Sequence, residues 1–406
     1  MPADALKCKE CKTEYALEAR YVCERCFGPL EVAYAPTAAD PAELKRRIQA
    51  GPHTLWRYAD FLPLAGPPRS ALPTGWTPLV RADRLAERLG LREVWVKNET
   101  ANPTHSFKDR VVSVALARAR ELGFETVACA STGNLAGAVA AHAAAAGLPA
   151  FVFVPADLEE EKILSAGAYG ARIVGIRGSY DDVNRVCTEL SADKPWAFVN
   201  VNVRPYYAEG SKTLAYETAE QLGWELPDRV VAPIASGSLF TKVARGFEEW
   251  IDAGLLDGRV PVMNGAQAEG CSPVARAFAD GHDVCRPVRP DTIAKSLAIG
   301  NPADGIYVLD ICRRTGGAVE DIGDDEVREA IVLLARTEGI FTETAGGTTI
   351  GVLKKLVDSG QLDPTLETVA INTGIGLKTL DAISDLVGPA ATIDPTYPAF
   401  TETGLV

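Results

Sequence analysis

Short apolar runs alternate with longer stretches of helical periodicity along most of the chain. Residues 127–130, 150–154, 172–176 and 197–201 read as four strands, each separated from the next by a helical run. That alternation predicts a parallel sheet with right-handed crossovers. After Arg204 a second set begins, with strands near 230–234, 262–266 and 368–371 and helices near Gln221, Thr241, 326–337 and 348–357. The pattern predicts an α/β protein with two parallel-sheet domains. Alanine spacing over 136–146 fits a helix packed closely on its sheet, with His142 as a satisfied packing residue. The Pro-rich stretch 62–78 reads as a surface arm, reaching toward a partner subunit.

Four polar turns stand out against this background. Asn102-Pro103-Thr104-His105-Ser106-Phe107-Lys108-Asp109-Arg110 reads as a loop that delivers one lysine to the start of a helix. Asn102-Pro103 breaks regular structure, Ser106 is spaced as an N-cap, and 111–121 has helical periodicity. A lysine so placed can hold an aldehyde cofactor covalently, although a lone lysine is usually a solvated surface charge. Ser131-Thr132-Gly133-Asn134 lies between the apolar 127–130 and the alanine-rich 135–146. Strand, polar turn and helix in that order aim backbone N–H groups at an anion, or simply make an ordinary connection. Ala235-Ser236-Gly237-Ser238, before the helical run 239–250, is a second small-residue cradle for phosphate. Asn372-Thr373-Gly374-Ile375-Gly376-Leu377 follows a strand and makes a tight turn.

In this order and at these separations, the four turns resemble the threonine synthase branch of the fold type II pyridoxal-phosphate enzymes, over about residues 76–385. The resemblance implies two parallel-sheet α/β domains, the smaller inserted in the larger, with pyridoxal 5'-phosphate in the cleft between them. It implies that Lys108 carries the cofactor, that Asn134 bonds its ring hydroxyl and that Thr373 faces its ring nitrogen. Ala235, Ser236, Gly237, Ser238 and Leu239 would surround its phosphate, while Ser131, Thr132 and Gly133 would receive the substrate carboxylate. The implied reaction converts O-phospho-L-homoserine and water to L-threonine and phosphate by γ-elimination and β-addition of water. A hydroxyl rather than a carboxylate at the ring nitrogen would leave the pyridine largely neutral, so that electrons can move on toward the γ-carbon.

Several positions depart from the family pattern. His105 stands where many members have glycine, and reads as a polar lining residue, an acid or base, or a phosphate ligand. The arginine expected to grip substrate phosphate falls at Tyr207. Arg204, three residues earlier, and Lys242, one turn after Leu239, are candidates to replace it. Leu239 and Ile375 each stand where asparagine is common. A serine or threonine dehydratase and a β-replacement enzyme of the cysteate synthase kind are the nearest alternatives.

The amino terminus carries a separate signal. Cys8, Cys11, Cys23 and Cys26 form two C-x-x-C knuckles, and Phe27-Gly28-Pro29-Leu30 supplies the turn and apolar follow-on of a zinc ribbon. Four thiolates at this spacing suit structural tetrahedral zinc. A redox pair and a metal-free vestige are the competing readings. So small a segment has too little apolar material to fold without metal or docking.

Composition narrows the function classes. A chain of 406 residues with 47% hydrophobic residues can build two medium domains and a small appendage. The expected division is 1–35 for the ribbon, 55–103 with 205–390 for the large domain, 104–204 for the small domain and 391–406 for a tail. A formal charge of −13 argues against nucleic-acid binding. No apolar run is long enough to cross a membrane, and Met1-Pro2-Ala3-Asp4 does not look like a secretory signal. A cytoplasmic homodimer acting on a small amino-acid substrate is expected. Gly374-Ile375-Gly376 could suggest a dinucleotide fold, but Thr379 replaces the third glycine and no βα unit with a ribose-binding acid follows. A non-catalytic scaffold would leave Lys108 and both cradles unexplained.

Overall fold

The computed structural model describes residues 3–36, 39–68, 72–158, 160–178 and 180–405. The smaller of its two parallel arrays runs Arg172–Ile176, Ala150–Pro155, Val127–Ala130, Ala197–Phe198 across its width. Val127–Ala130 has every residue buried, which is why it reads as an unbroken apolar run. The last strand is shorter than its periodicity suggests because Asn202 ends it. Phe198 N–H donates to the Asn202 side-chain oxygen at 2.8 Å, and the Asn202 amide donates to the Trp196 carbonyl at 3.0 Å. Both bonds offer the backbone a turn in place of a ladder.

The larger sheet runs Val319–Ile322, Val262–Ala268, Arg229–Pro233, Glu367–Asn372, Glu93–Asn98, Leu79–Arg81. Five strands are parallel, and the short edge strand Leu79–Arg81 is antiparallel to Glu93–Asn98. Periodicity misses three of these strands. Val319–Ile322 carries two acids at its centre, Leu79–Arg81 is only a fragment, and Glu93–Asn98 hides a lysine, Lys97, with no exposed surface.

Lys97 belongs to a buried charge network that fixes the start of the helix Lys108–Glu121. Arg110 Nε and Nη2 meet Glu99 at 2.5 and 2.8 Å, and Nη1 and Nη2 meet Glu217 at 2.6 and 2.7 Å. Lys97 Nζ reaches Glu217 at 2.9 Å and the Thr77 carbonyl at 2.7 Å. Two cations thus balance two carboxylates, and Thr77, Thr213 and Gln221 complete the hydrogen bonding. The network ties the lysine helix to the sheet through Lys97 and to the helix Lys212–Gln221 through Glu217.

Two local expectations need correction. Ser106 does not cap the helix: its hydroxyl is buried without a partner, while Asp109 accepts from Thr104 N–H at 2.8 Å and from the Thr104 hydroxyl. The carboxylate one turn inside does the work expected of a cap. The stretch 62–78, described except for residues 69–71, is not a free arm. Thr74 and Thr77 are buried, Leu55 N–H donates to the Thr74 carbonyl at 2.7 Å, and Gly75 N–H donates to Asn102 Oδ1 at 3.0 Å. His142 is satisfied as expected, with Nε2 2.9 Å from Asp109 and Nδ1 3.3 Å from Ser113.

Burial alone would raise the Glu217 carboxyl, but Arg110 and Lys97 outweigh it and hold the group at about 2, against an ordinary value of 4.5. A carboxylate lowered in the fold contributes stability that is complete above its unfolded value and is lost as pH falls through the folded one. Chemical denaturation should therefore give a level stability from about pH 7 to about 5, then a decline between about 4.5 and 2 that Glu217→Gln makes shallower. An acid transition of unchanged steepness in the variant would remove Glu217 as its source.

Candidate active site

Lys108 opens its helix, and its loop is laced to the turn after the strand Glu367–Asn372. Phe107 N–H donates to the Thr373 carbonyl at 2.9 Å, and Ile375 N–H donates to the His105 carbonyl at 3.1 Å. Two segments far apart in sequence thereby set the residue before Lys108 against Thr373. Lys108 Nζ donates to Tyr207 Oη at 2.8 Å and lies 4.7 Å from the Phe107 ring centroid. Among the described residues, no carboxylate lies within ion-pair distance of it. His105 is exposed at φ 60°, with Nδ1 3.0 Å from the Thr100 carbonyl.

Glu343, which the sequence reading did not single out, links two other candidates. Asn134 Nδ2 donates to its Oε2 at 2.8 Å and Thr373 Oγ1 donates to its Oε1 at 2.8 Å, so the threonine's one hydroxyl proton is committed there. Lys378 Nζ donates to Asn134 Oδ1 at 2.8 Å, and burial pushes that ammonium's pKa down although Glu343 opposes the shift. A signal existed in Thr342-Glu343-Thr344-Ala345-Gly346-Gly347, an acid just before a helix with two close-packed glycines. Ser131 Oγ accepts from Gly133 N–H at 3.2 Å, and Thr132 is half-buried in the turn that starts the helix Asn134–Ala146.

The second cradle opens the helix Ser238–Asp252, with Gly237 at φ +95°. As at any helix start, the first N–H groups lack intrahelical partners, which suits an anion. Ala235 packs beside Ala268, Ala294, Leu297 and Ala345, and the Leu239 side chain is in the large-domain core. Ser236 O accepts from Asp304 N–H at 2.8 Å, and Asp304 Oδ2 accepts from Arg204 Nη2 at 3.0 Å. Arg204 therefore lies across from the cradle. Lys242 is buried, donating to Glu209 at 2.6 Å with Glu31 at 3.7 Å.

The four N-terminal cysteines converge, with all four Sγ atoms within 4.8 Å of one another. Zinc–sulfur bonds of about 2.3 Å put tetrahedral sulfurs about 3.8 Å apart, so the cluster has the right size. Lys12 and Phe27, each directly after a knuckle's second cysteine, are both left-handed at φ 61° and 59°. A Cβ at Gly28 would come within 3.0 Å of Cys8 Sγ and 3.2 Å of Cys26 Sγ, so the turn passes close against the thiols. Cys8, Cys23, Leu6, Leu30 and Val32 join one apolar cluster with Val111, Val112, Tyr206 and Tyr207.

A small parallel sheet and a large sheet drawn from distant parts of the chain give the two-sheet α/β architecture of the fold type II pyridoxal-phosphate enzymes. The chain belongs to the pyridoxal-phosphate dependent enzyme family, whose profile matches residues 71–374. It is 37% identical to a threonine synthase of Methanosarcina acetivorans, over 98% of each chain, and 38% identical to one of Methanocaldococcus jannaschii, over 93% of each. Among solved structures, a threonine deaminase from Solanum lycopersicum superposes with a TM-score of 0.63 at 21% identity, covering 92% of this chain and 99% of that one. Maize serine racemase gives 0.64 at 20%, covering 87% and 97%. These last two likenesses establish the fold.

Gly237→Ala should lower unfolding stability by about 1–3 kcal/mol. The left-handed backbone disfavours a side chain, and the new Cβ would sit 2.9 Å from both Asp304 Cβ and Val308 Cγ2. A denaturation midpoint equal to the parent's would mean the turn relaxes freely.

Proposed function

We propose that this chain is a threonine synthase, converting O-phospho-L-homoserine and water to L-threonine and phosphate. The observation that carries the reading is the match to enzymes of that name along nearly the whole chain. The turns support it, because each candidate contact for the family's cofactor has a residue of suitable chemistry.

Pyridoxal phosphate, when bound, accepts the electron pair left as the substrate's α-proton departs. Lys108 would offer the amine for its aldehyde, Asn134 the partner of its ring hydroxyl, and Thr373 a hydroxyl for its ring nitrogen, its proton turning there from Glu343 when the cofactor is bound. The N–H groups from Ser236 to Leu239 receive its phosphate, and the missing Cβ of Gly237 allows close approach. Lys108 would take the α-proton and carry protons at the β-carbon, with Tyr207 Oη, 2.8 Å from its amine, holding it in line. Ser131, Thr132 and Gly133 receive the substrate carboxylate, His105 lines the loop, and Arg204 grips the leaving phosphate. Lys242 acts behind them, neutralised by Glu209. Overall the γ-carbon loses phosphate and gains a proton, while the β-carbon loses a proton and gains the hydroxyl of water. The α-carbon ends with one proton, as it began.

The same reading takes Cys8, Cys11, Cys23 and Cys26 as a structural zinc site, supported by the converging thiols. It takes 104–204 as a small domain between the two parts of a large one, 55–103 and 205–390, with 1–35 as ribbon and 391–406 as tail. The pairing of Glu93–Asn98 with Glu367–Asn372 supports that division.

The purified protein should release threonine and phosphate from O-phospho-L-homoserine, and Lys108→Ala should lose at least about 1,000-fold in kcat/KM. Keto-acid release from serine or threonine, with phosphohomoserine untouched, would instead mean a dehydratase. Borohydride reduction should fix cofactor to the parent chain and not to Lys108→Ala. Metal analysis should find one zinc per chain, and Cys8→Ser should lose it with a lower thermal midpoint. A zinc-free parent of equal stability to the variant would leave the cluster without metal.

A further inference from the structure

Lys9 sits between the first two cysteines of the ribbon, yet it turns inward rather than to solvent. Its ammonium lies 3.2 Å from the centroid of the Tyr307 ring and 3.9 Å from Asp304 Oδ1, and its side chain is only 17% exposed. The other oxygen of Asp304 accepts from Arg204 Nη2 at 3.0 Å, and the Asp304 N–H donates to the carbonyl of Ser236 in the cradle. Three segments therefore meet at one carboxylate: the ribbon, the start of the helix Arg204–Glu209 and the residue before the helix Gly305–Thr315. Two cations share that single carboxylate beside the cradle, and Glu31 is the next acidic group acting on Lys9. Lys242, also close by, is already neutralised by Glu209 at 2.6 Å.

Lys9 is held by the Tyr307 ring and by acidic groups near it, but its closest carboxylate oxygen among the described residues, at 3.9 Å, is beyond hydrogen-bond reach, so its ammonium donors are free for a better acceptor. A doubly charged phosphoryl group is such an acceptor, because it could take hydrogen bonds from Arg204 and Lys9 together. The ribbon is anchored firmly enough to present the amine. Lys9 N–H donates to the Pro29 carbonyl at 3.0 Å, Tyr307 Oη bonds Glu10, and Tyr206 Oη donates to the Glu18 carbonyl at 2.9 Å.

We propose that Lys9 is a substrate-binding residue: with Arg204 it forms the subsite for the substrate's phosphoryl group, and Asp304 holds both cations until that group arrives. The ribbon is then one wall of the active site. This rests on the threonine synthase reading for the identity of the substrate, while the presence of an anion subsite can be measured without it.

Holoenzyme carrying Lys9→Met or Lys9→Gln should keep its zinc and its cofactor absorbance, while KM for O-phospho-L-homoserine rises about tenfold or more and kcat changes less. Lys9→Arg should recover most of the loss. Inorganic phosphate, titrated against the holoenzyme by calorimetry, should bind about tenfold more weakly to both neutral variants, and Asp304→Asn should tighten it severalfold. Parent enzyme that makes no threonine would overturn the activity assignment and leave the phosphate titration to judge Lys9. Neutral variants within twofold of the parent in both KM and phosphate affinity would overturn the role of Lys9. Should neither neutral variant yield folded holoenzyme, an Asp304→Asn protein with unchanged phosphate affinity would overturn it equally.

Discussion

The guanidinium of Arg110 is the constraint on which the site depends. It is fully buried and bonds two carboxylates in bidentate fashion, and those carboxylates come from segments that share no local structure with it. Each group alone would be expensive to hide, yet together with Lys97 they are neutral and hydrogen-bonded. Because Arg110 is two residues past Lys108, locking its planar head also locks the first turn of the helix that presents the amine. The position of Lys108 is thus set from beneath by charge, and from the side by the backbone bonds to Thr373 and Ile375.

Much of this architecture is legible in the sequence, for identifiable reasons. Val127–Ala130 and Arg229–Pro233 are buried throughout, so their apolar runs stand out, and the polar turns that follow them mark where each chain end meets the cleft. Glu93–Asn98 escapes notice because one of its inward residues is Lys97, whose burial only a partner supplied from residue 217 can justify. Glu343 escapes for a similar reason. An isolated acid looks like a surface residue until folding brings Asn134 and Thr373 to its two oxygens. Pairings between residues more than a hundred positions apart leave no periodic trace, whereas faces of helices and strands do.

The ribbon illustrates the limit of motif reading. Cysteine spacing foretells a compact knuckle, and the thiols do converge. Spacing is silent on what lies between the cysteines, and there Lys9 and Glu10 both engage Tyr307 of the large domain. Meanwhile the ribbon's apolar side shares a cluster with Tyr207, which bonds Lys108. A segment that looks like an appendage in sequence is packed into the same apolar cluster as Tyr207.

The strand Glu93–Asn98 has a consequence for how the chain is made. Its parallel neighbour, Glu367–Asn372, is 274 residues downstream in register, so a nascent polypeptide carries that strand with one flank unpaired while the whole small sheet is completed. The inserted lobe can acquire its form during synthesis, but the turn bearing Thr373 arrives last. Conditions that slow the docking of Glu367–Asn372 would favour aggregation through the waiting edge of Glu93–Asn98.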